Sequence, residues 1–409
     1  MKLKLSILIL LLCTAFATKA NWNWHKRTNL LNCKRDQAVG FSIGIQGYVC
    51  CGMDTNNITL NDLWCYNSFT NTWSQKANLP GAPRRCPFGF AINGLGYVGG
   101  GIADSSTYGT RFTDLYAYDP NTNAWTTKAA YTTTGNGVYR CASTSCNGKG
   151  YVIGGRNSFS STNTVYEYNP LTDTWLMRAM FPGVPTSSGG RDGGVAFSMN
   201  LKVYFGTGRD DSFYQNDFWE YDPATDIWTR KADLPGVGRQ SAVGFVVQNK
   251  GFIATGSNGG FLKDCWWYDV TTNQWNFANN FDGSGRKSAV AFSILDSGYI
   301  ATGKAASGTK QDLYVTADEP IAPSLIEEID NFTFSVSPNP CINQPLTIHF
   351  NSALNAAKIE LYNLQGQLVY TDQCHGNNYD LPAPPQKGNY WLVVSNQTFK
   401  TVTKQVTFN

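Results

Sequence analysis

Six arginines recur at similar intervals along this 409-residue chain: Arg35, Arg85, Arg140, Arg191, Arg239 and Arg286. A guanidinium presents a planar fork of donors that grips a carboxylate bidentately. Segments between them mix aromatic rings with charge and include Tyr108, Phe159, Arg209, Asp210, Phe213, Tyr214 and Phe261. Aromatic rings supply flat apolar platforms. A surface carrying both suits an acidic sugar or an acidic peptide, so these residues form the candidate ligand-binding set.

Other chemistries lack their parts. The three histidines are His25, His349 and His375, and two of them lie in the last sixty or so residues. With His25 the one histidine before residue 349, neither a histidine-based zinc site nor a Ser-His-Asp triad is expected there. No Cys-x-x-Cys occurs among the eleven cysteines, which argues against a thiolate zinc site. Cys86 and Cys141 each follow a repeat arginine and are expected either to pair or to sit as small buried side chains. Glu167 and Glu220 are expected to face outward from strands. The loop aspartates Asp54, Asp104, Asp210 and Asp211 could serve as acids or bases or simply shape turns. No catalytic residue is assigned, and neither a metal nor a cofactor is expected. The net charge of +3 includes Lys2, Lys4 and Lys19 near the start, and no basic run suggests nucleic acid.

The scaffold that must position these side chains is periodic. Trp24, Trp73, Trp125, Trp175, Trp228 and Trp275 are separated by 49, 52, 50, 53 and 47 residues. A period of this size signals stacked copies of one supersecondary unit. Tyr-Asp/Asn steps keep the same beat at Tyr66, Tyr118, Tyr168, Tyr221 and Tyr268. Apolar runs ending in glycine do so as well, for example Tyr151-Val152-Ile153-Gly154-Gly155. Each unit reads as four short strands divided by Asn-Gly and Asp-Pro turns. The predicted loops before first strands and those joining second to third strands, at 53–61, 102–112, 156–163, 209–216, 257–263 and 304–311, share one face. The repeat aspartates Asp62, Asp114, Asp217, Asp264 and Asp312 precede third strands and are expected to cap backbone amides.

With its Gly-Gly, Tyr-Asp-Pro and Trp positions in register, the segment 21–316 resembles the kelch-repeat family. The resemblance implies an all-β fold, a six-bladed kelch-type β-propeller. The sixth unit has no Trp strand of its own after Leu313-Tyr314-Val315-Thr316, whereas Asn21-Trp22-Asn23-Trp24 stands unpaired at the other end. The N-terminal strand is therefore expected to complete the last blade and close the ring, which removes sheet edges. Copper radical oxidases share such propellers but need histidine ligands that this segment lacks. Kelch-type sialic acid mutarotases are exported six-bladed proteins, so an enzyme acting on sugar acids is the alternative to a binding protein, and a structural adhesin is a third reading.

The ends carry an address. Residues 1–20 combine Lys2 and Lys4 with an apolar run from Leu5 to Leu12 and small residues at Ala15 and Ala17, which reads as a secretory signal peptide. Residues 317–331 are acidic and proline-containing, as expected of a linker. Residues 332–409 alternate apolar and polar positions in short strands, and a small immunoglobulin-like β-sandwich is expected. Ser337-Pro338-Asn339-Pro340, Leu361-Tyr362-Asn363-Leu364-Gln365-Gly366 and Lys387-Gly388-Asn389-Tyr390 make this segment similar to the type A sorting domain of the type IX secretion system. That resemblance implies engagement of the secretion machinery through residues 332–409 and a secreted or outer-membrane-associated location at the cell surface. A monomer without a transmembrane segment, with a glycan or protein as ligand, completes the expectation.

Overall fold

The computed structural model describes residues 21–106, 109–131, 137–183, 189–319, 334–341, 345–363, 368–384, 386–395 and 402–408. The leader, Tyr108 and residues 320–331 of the linker lie outside the described residues. All regular secondary structure that is described is β, and no described helix could cross a membrane. The first four-stranded antiparallel sheet runs Val39–Ile43, Gln46–Cys50, Leu63–Asn67 and Thr72–Lys76. The pattern recurs at 88–128, 142–177, 195–230 and 243–277. The sixth sheet joins Val290–Ile294, Ser297–Ala301 and Leu313–Glu319 to Asn21–Arg27 from the other end of the chain, with Trp24 opposite Thr316.

The six sheets touch in cyclic order through their first strands, and Val290–Ile294 returns to contact Val39–Ile43. Side-chain size sets the fit. Phe41, Phe90, Phe197, Phe245 and Phe292 each press into a glycine of the next sheet. A Cβ at Gly96, Gly150, Gly251, Gly298 or Gly47 would fall 2.1–2.3 Å from the facing ring. At the one remaining junction the third sheet offers Thr144 in place of phenylalanine, and the fourth offers Val203 in place of glycine. The smaller side chain on one side is matched by a larger one on the other, as close packing requires.

A second tie explains the beat of tyrosine and tryptophan. Asn71, Asn123, Asp173, Asp226 and Asn273 occupy the left-handed region, with φ of 51–59°. Asparagine and aspartate tolerate that region better than most side chains do. The side-chain oxygen of each accepts the hydroxyl of its own sheet's tyrosine, from Tyr66 to Tyr268, at 2.6–2.9 Å. It also accepts an amide N–H from the preceding unit, at Thr28, Ala77, Ala129, Ala179 or Ala232. The indole N–H groups of Trp73, Trp125, Trp175, Trp228 and Trp275 donate to the carbonyls of those same five residues. One turn residue and one indole therefore stitch each unit to its predecessor.

The C-terminal strands form one connected five-stranded sheet. Phe334–Ser337, Leu346–Asn363, Gly388–Ser395 and Val402–Phe408 are neighbours in that order, and Leu368–Leu381 also pairs with Leu346–Asn363. Register shifts interrupt the long pairing between His349 and Leu354 and again between Leu354 and Ala357. Such bulges bend strands. The core here contains Phe334, Leu346, Ile348, Ile359, Leu361, Leu392 and Phe408.

Candidate functional site

The repeat arginines do not form an open ring. Arg35, Arg191, Arg239 and Arg286 are at most 1% exposed, and so is Arg84, the neighbour of the expected Arg85. Each is clasped by the aspartate that precedes the third strand of its own sheet: Asp62, Asp114, Asp217, Asp264 or Asp312. Each also donates to a carbonyl at the end of the second strand, for example Arg239 Nη1 to Thr255 at 3.1 Å. The expectation that these arginines line a ligand face is therefore corrected for Arg35, Arg191, Arg239 and Arg286: their forks are spent on bidentate pairs inside the wall. The aspartates, expected to cap amides, are the other half of that clasp. Burial pushes the Asp62 and Asp264 carboxyls up, but the arginine hydrogen bonds and charge outweigh it and hold both below the usual carboxylate value. The third repeat lacks both halves, with Val138 and Thr164 at the two positions.

Two residues after the clasping position the chain turns into the first strand through the left-handed region at Gln37, Cys86, Arg140, Gly193, Ser241 and Ser288, with φ of 50–62°. Their peptide groups form a closed circle of hydrogen bonds. Cys86 N–H donates to Gln37 C=O, Arg140 to Cys86, Gly193 to Arg140, Ser241 to Gly193, Ser288 to Ser241 and Gln37 to Ser288, at 2.7–3.3 Å. This circle is the rim of a mouth that opens into a cavity of about 290 Å³.

Lining the cavity are Asp36, Gln37, Cys86, Arg140, Cys141, Gln240, Ser241, Lys287, Ser288 and Lys304. Arg140 lies along the rim: its Nε is 3.1 Å from Asp192 Oδ1, and Nη2 donates to Gln240 Oε1 at 2.6 Å and Ser241 Oγ at 3.2 Å. Gly193 makes room for this arm, since a Cβ there would meet Arg140 Nη2 at 2.9 Å. The charge relay continues outward: Asp192 Oδ2 is 3.5 Å from Arg156 Nη1, which pairs with Asp211 at 2.7 Å. Arg85 is 6% exposed and donates to Gln37 Oε1 and to the carbonyls of Asp104, Ser105 and Ser106, so it pins a loop to the rim.

Asp36 stands apart. It is 4% exposed, accepts from Gln37 Nε2 at 3.1 Å, and burial raises its carboxyl above the usual value despite Gln37 and the more distant Lys304, Lys287 and Arg85. Cys86 and Cys141 are free thiols on the wall rather than a disulfide. They are not equivalent either, because Cys141 falls one position later than Cys86 in the repeat. Burial pushes the Cys86 thiol up to about 11 and that of Cys141 higher still, so both stay protonated and unreactive.

The loop candidates divide. Phe159 and Phe213 are exposed, by 83% and 68%. Arg209 stacks over Tyr214 at 5.8 Å, and Lys287 reaches the Phe261 ring at the same distance. Asp210 is buried and holds its own loop by accepting from Ser212 N, Phe213 N and Gln215 Nε2. Asp54 and Asp104 likewise accept amides within their turns. Glu167 and Glu220 accept the hydroxyls of Tyr151 and Tyr204. Missing from the sequence-based set were Asp36, Gln37, Asp192, Gln240, Lys287 and Lys304. Five of these six fall one or two positions after the clasping arginine, or its equivalent, and the repeat register could have flagged them.

Known proteins share this arrangement in pieces. The KLHDC2/KLHL20/DRC7 Kelch-repeats domain matches residues 97–237, and the secretion system C-terminal sorting domain matches residues 335–408. The chain thus carries kelch repeats and, over residues 335–408, a secretion sorting domain. The N-acetylneuraminate epimerase of Yersinia enterocolitica is 31% identical over 173 residues, 41% of this chain and 38% of that protein. Kelch-like protein 35 of Mus musculus is 28% identical over 180 residues, 44% of this chain and 28% of that protein. The N-acetylneuraminate epimerase of Pasteurella multocida is 25% identical over 185 residues, 45% and 43%. The chain thus spans less than half the length of each of these curated relatives. The solved structure of YjhT superposes with a TM-score of 0.57 at 18% identity, over 71% of this chain and 95% of that one, which supports the fold. The sorting domain marks this protein for secretion or for the cell surface.

Proposed function

We propose that the six sheets are the blades of a closed kelch propeller, followed by an immunoglobulin-like sorting domain that directs export by the type IX system. The exported propeller binds a glycan or protein ligand bearing a carboxylate at its mouth. The observation that carries this reading is the cavity of about 290 Å³ in which Lys287, Lys304 and the Arg140 arm face inward beside the amide and hydroxyl groups of Gln37, Gln240, Ser241 and Ser288. The cations outnumber the lining carboxylate Asp36, so the mouth favours an anion, while the neutral polar groups suit sugar hydroxyls. Phe159 and Phe213 stand exposed on loops of the same side as platforms for a larger ligand. A glycan array probed with the chain from residue 21 onward, beside Lys287→Ala and Arg140→Ala, tests this. Retention of acidic glycans that both variants lose supports it, and equal retention by all three overturns it.

The runner-up is an enzyme acting on sugar acids. It is favoured by the relatives named N-acetylneuraminate epimerase, at 25–31% identity over part of the chain. Proton NMR of N-acetylneuraminate with the protein, following interconversion of its forms, decides between turnover and binding alone.

A further inference from the structure

The end of the ring opposite the mouth is built from the turns joining first to second and third to fourth strands. In the first and sixth repeats these turns carry apolar side chains. Ile45 stands where the second and third repeats have Gly94 and Gly148, Leu295 where they have Asn93 and Asn147, and Phe69 where the second and fifth have Asn121 and Thr271. Ile45 is 0% exposed although it sits in a turn. The third repeat also places an apolar residue at the Phe69 position, Leu171, and it is 86% exposed, so the repeat itself does not bury that position.

What covers Phe69 is the C-terminal domain. Along Gly388–Ser395 the side chains of Tyr390, Leu392 and Val394 enter that domain's own core, so Trp391 and Val393 must point to the other face. An outer face on a lone domain should be polar. Here Val393 is 0% exposed and Tyr362, paired opposite Trp391, is 7% exposed. Both belong to the hydrophobic cluster of the first and sixth sheets, with Phe69, Leu295 and Trp391 packed against it. The rings of Phe69 and Trp391 lie 4.5 Å apart. We infer that the turns of the first and sixth repeats are a dedicated seat for the sorting domain, which docks through Tyr362, Trp391 and Val393 and is not a freely tethered tail. The sheets it bridges are those at the closure of the ring, so docking also braces that junction. The seat lies opposite the mouth, which leaves ligand binding unobstructed, and the inference does not depend on the ligand. The face bearing Trp391 is covered while docked, so export machinery must read another face of the domain.

The test uses the chain from residue 21 onward with a specific protease site placed between residues 320 and 331. After nicking, the two fragments should co-elute in size-exclusion chromatography. Phe69→Ser, a change on a turn, and Trp391→Ala should each release the C-terminal fragment at a concentration at least tenfold higher than the parent, whereas Leu171→Ser should not. Fragments that separate in the nicked parent as readily as in the variants would overturn the inference, and so would equal release by Leu171→Ser and Phe69→Ser.

Discussion

The amide of Gln37 donates to the carbonyl of Ser288 at 3.0 Å and thereby closes a circle of six hydrogen bonds that joins the first repeat to the sixth. The circle exists because all six rim residues take the left-handed conformation, although only Gly193 does so without steric cost. Ser288→Gly should therefore keep or slightly raise stability. Ser288→Val places a β-branched residue at φ 53° and should cost about 1–3 kcal/mol. Urea unfolding of the two variants checks this, and equal midpoints would show that the rim is not strained.

Phenylalanine into glycine at five junctions and Thr144 with Val203 at the sixth give a rule of complementary size. Gly47→Val alone should overpack against Phe292 and cost about 1–3 kcal/mol or more. Gly47→Val combined with Phe292→Thr copies the natural Thr144–Val203 junction and should recover much of that loss. Melting temperatures of the single and double variants decide it; additive effects would mean that the two side chains are not one packing unit.

Arg191 and Asp217 are clasped at 2.6 Å, with side chains 1% and 2% exposed. Removing one partner strands a buried charge, so Arg191→Val should cost about 3–5 kcal/mol. The third repeat has Val138 and Thr164 at these places, so Arg191→Val with Asp217→Thr should be more stable than Arg191→Val alone. For the depressed pair Asp62 and Asp264, the stabilisation is present above the unfolded carboxylate value of about 3.9 and is lost as pH falls through the lower folded values. Urea unfolding of the single and double Arg191 variants beside the parent checks the clasp, and acid unfolding of Asp264→Asn beside the parent checks the linkage, since the variant should lose part of the parent's acid sensitivity.

The fold was legible because packing repeats. Trp73, Trp125, Trp175, Trp228 and Trp275 perform one task, so one residue type recurs and the period shows through. The unpaired Asn21-Trp22-Asn23-Trp24 pointed to the strand that the sixth sheet lacked. The same logic misled at the site: a recurring arginine looked like a recurring binding group, but recurrence reflected the clasp with aspartate. The doublet Arg84-Arg85 and the substitution at Val138 shifted the register, so Arg85 and Arg140 were grouped with arginines that do different work. The positions immediately before the rim residues hold Asp36, Arg85, Tyr139, Asp192, Gln240 and Lys287 in turn. No residue type repeats there in an unbroken series, so recurrence of one side chain did not mark them, and only their place in the repeat register could have done so. The seat for the C-terminal domain was hidden for a related reason, since Ile45, Phe69 and Leu295 break the repeat rather than follow it.

Asp36 gives the mouth a pH signature. Burial raises its folded carboxyl above the unfolded value, while the hydrogen bond from Gln37 and the charges of Lys304, Lys287 and Arg85 only partly offset this. A raised carboxylate works opposite to Asp62. At pH below about 4 both folded and unfolded chains hold the proton and Asp36 carries no penalty. As pH rises, the unfolded chain releases its proton first, and the full cost is reached once pH passes the folded value. Asp36→Asn should therefore raise the melting temperature at neutral pH, and the gain should shrink towards zero below about pH 4. The same substitution leaves Lys287 and Lys304 without a competing anion, so an acidic ligand held at the mouth should bind more tightly to the variant at neutral pH. Melting curves of parent and variant across this pH range measure the first effect. A gain that persists unchanged in acid would assign it to packing and not to the charge of Asp36.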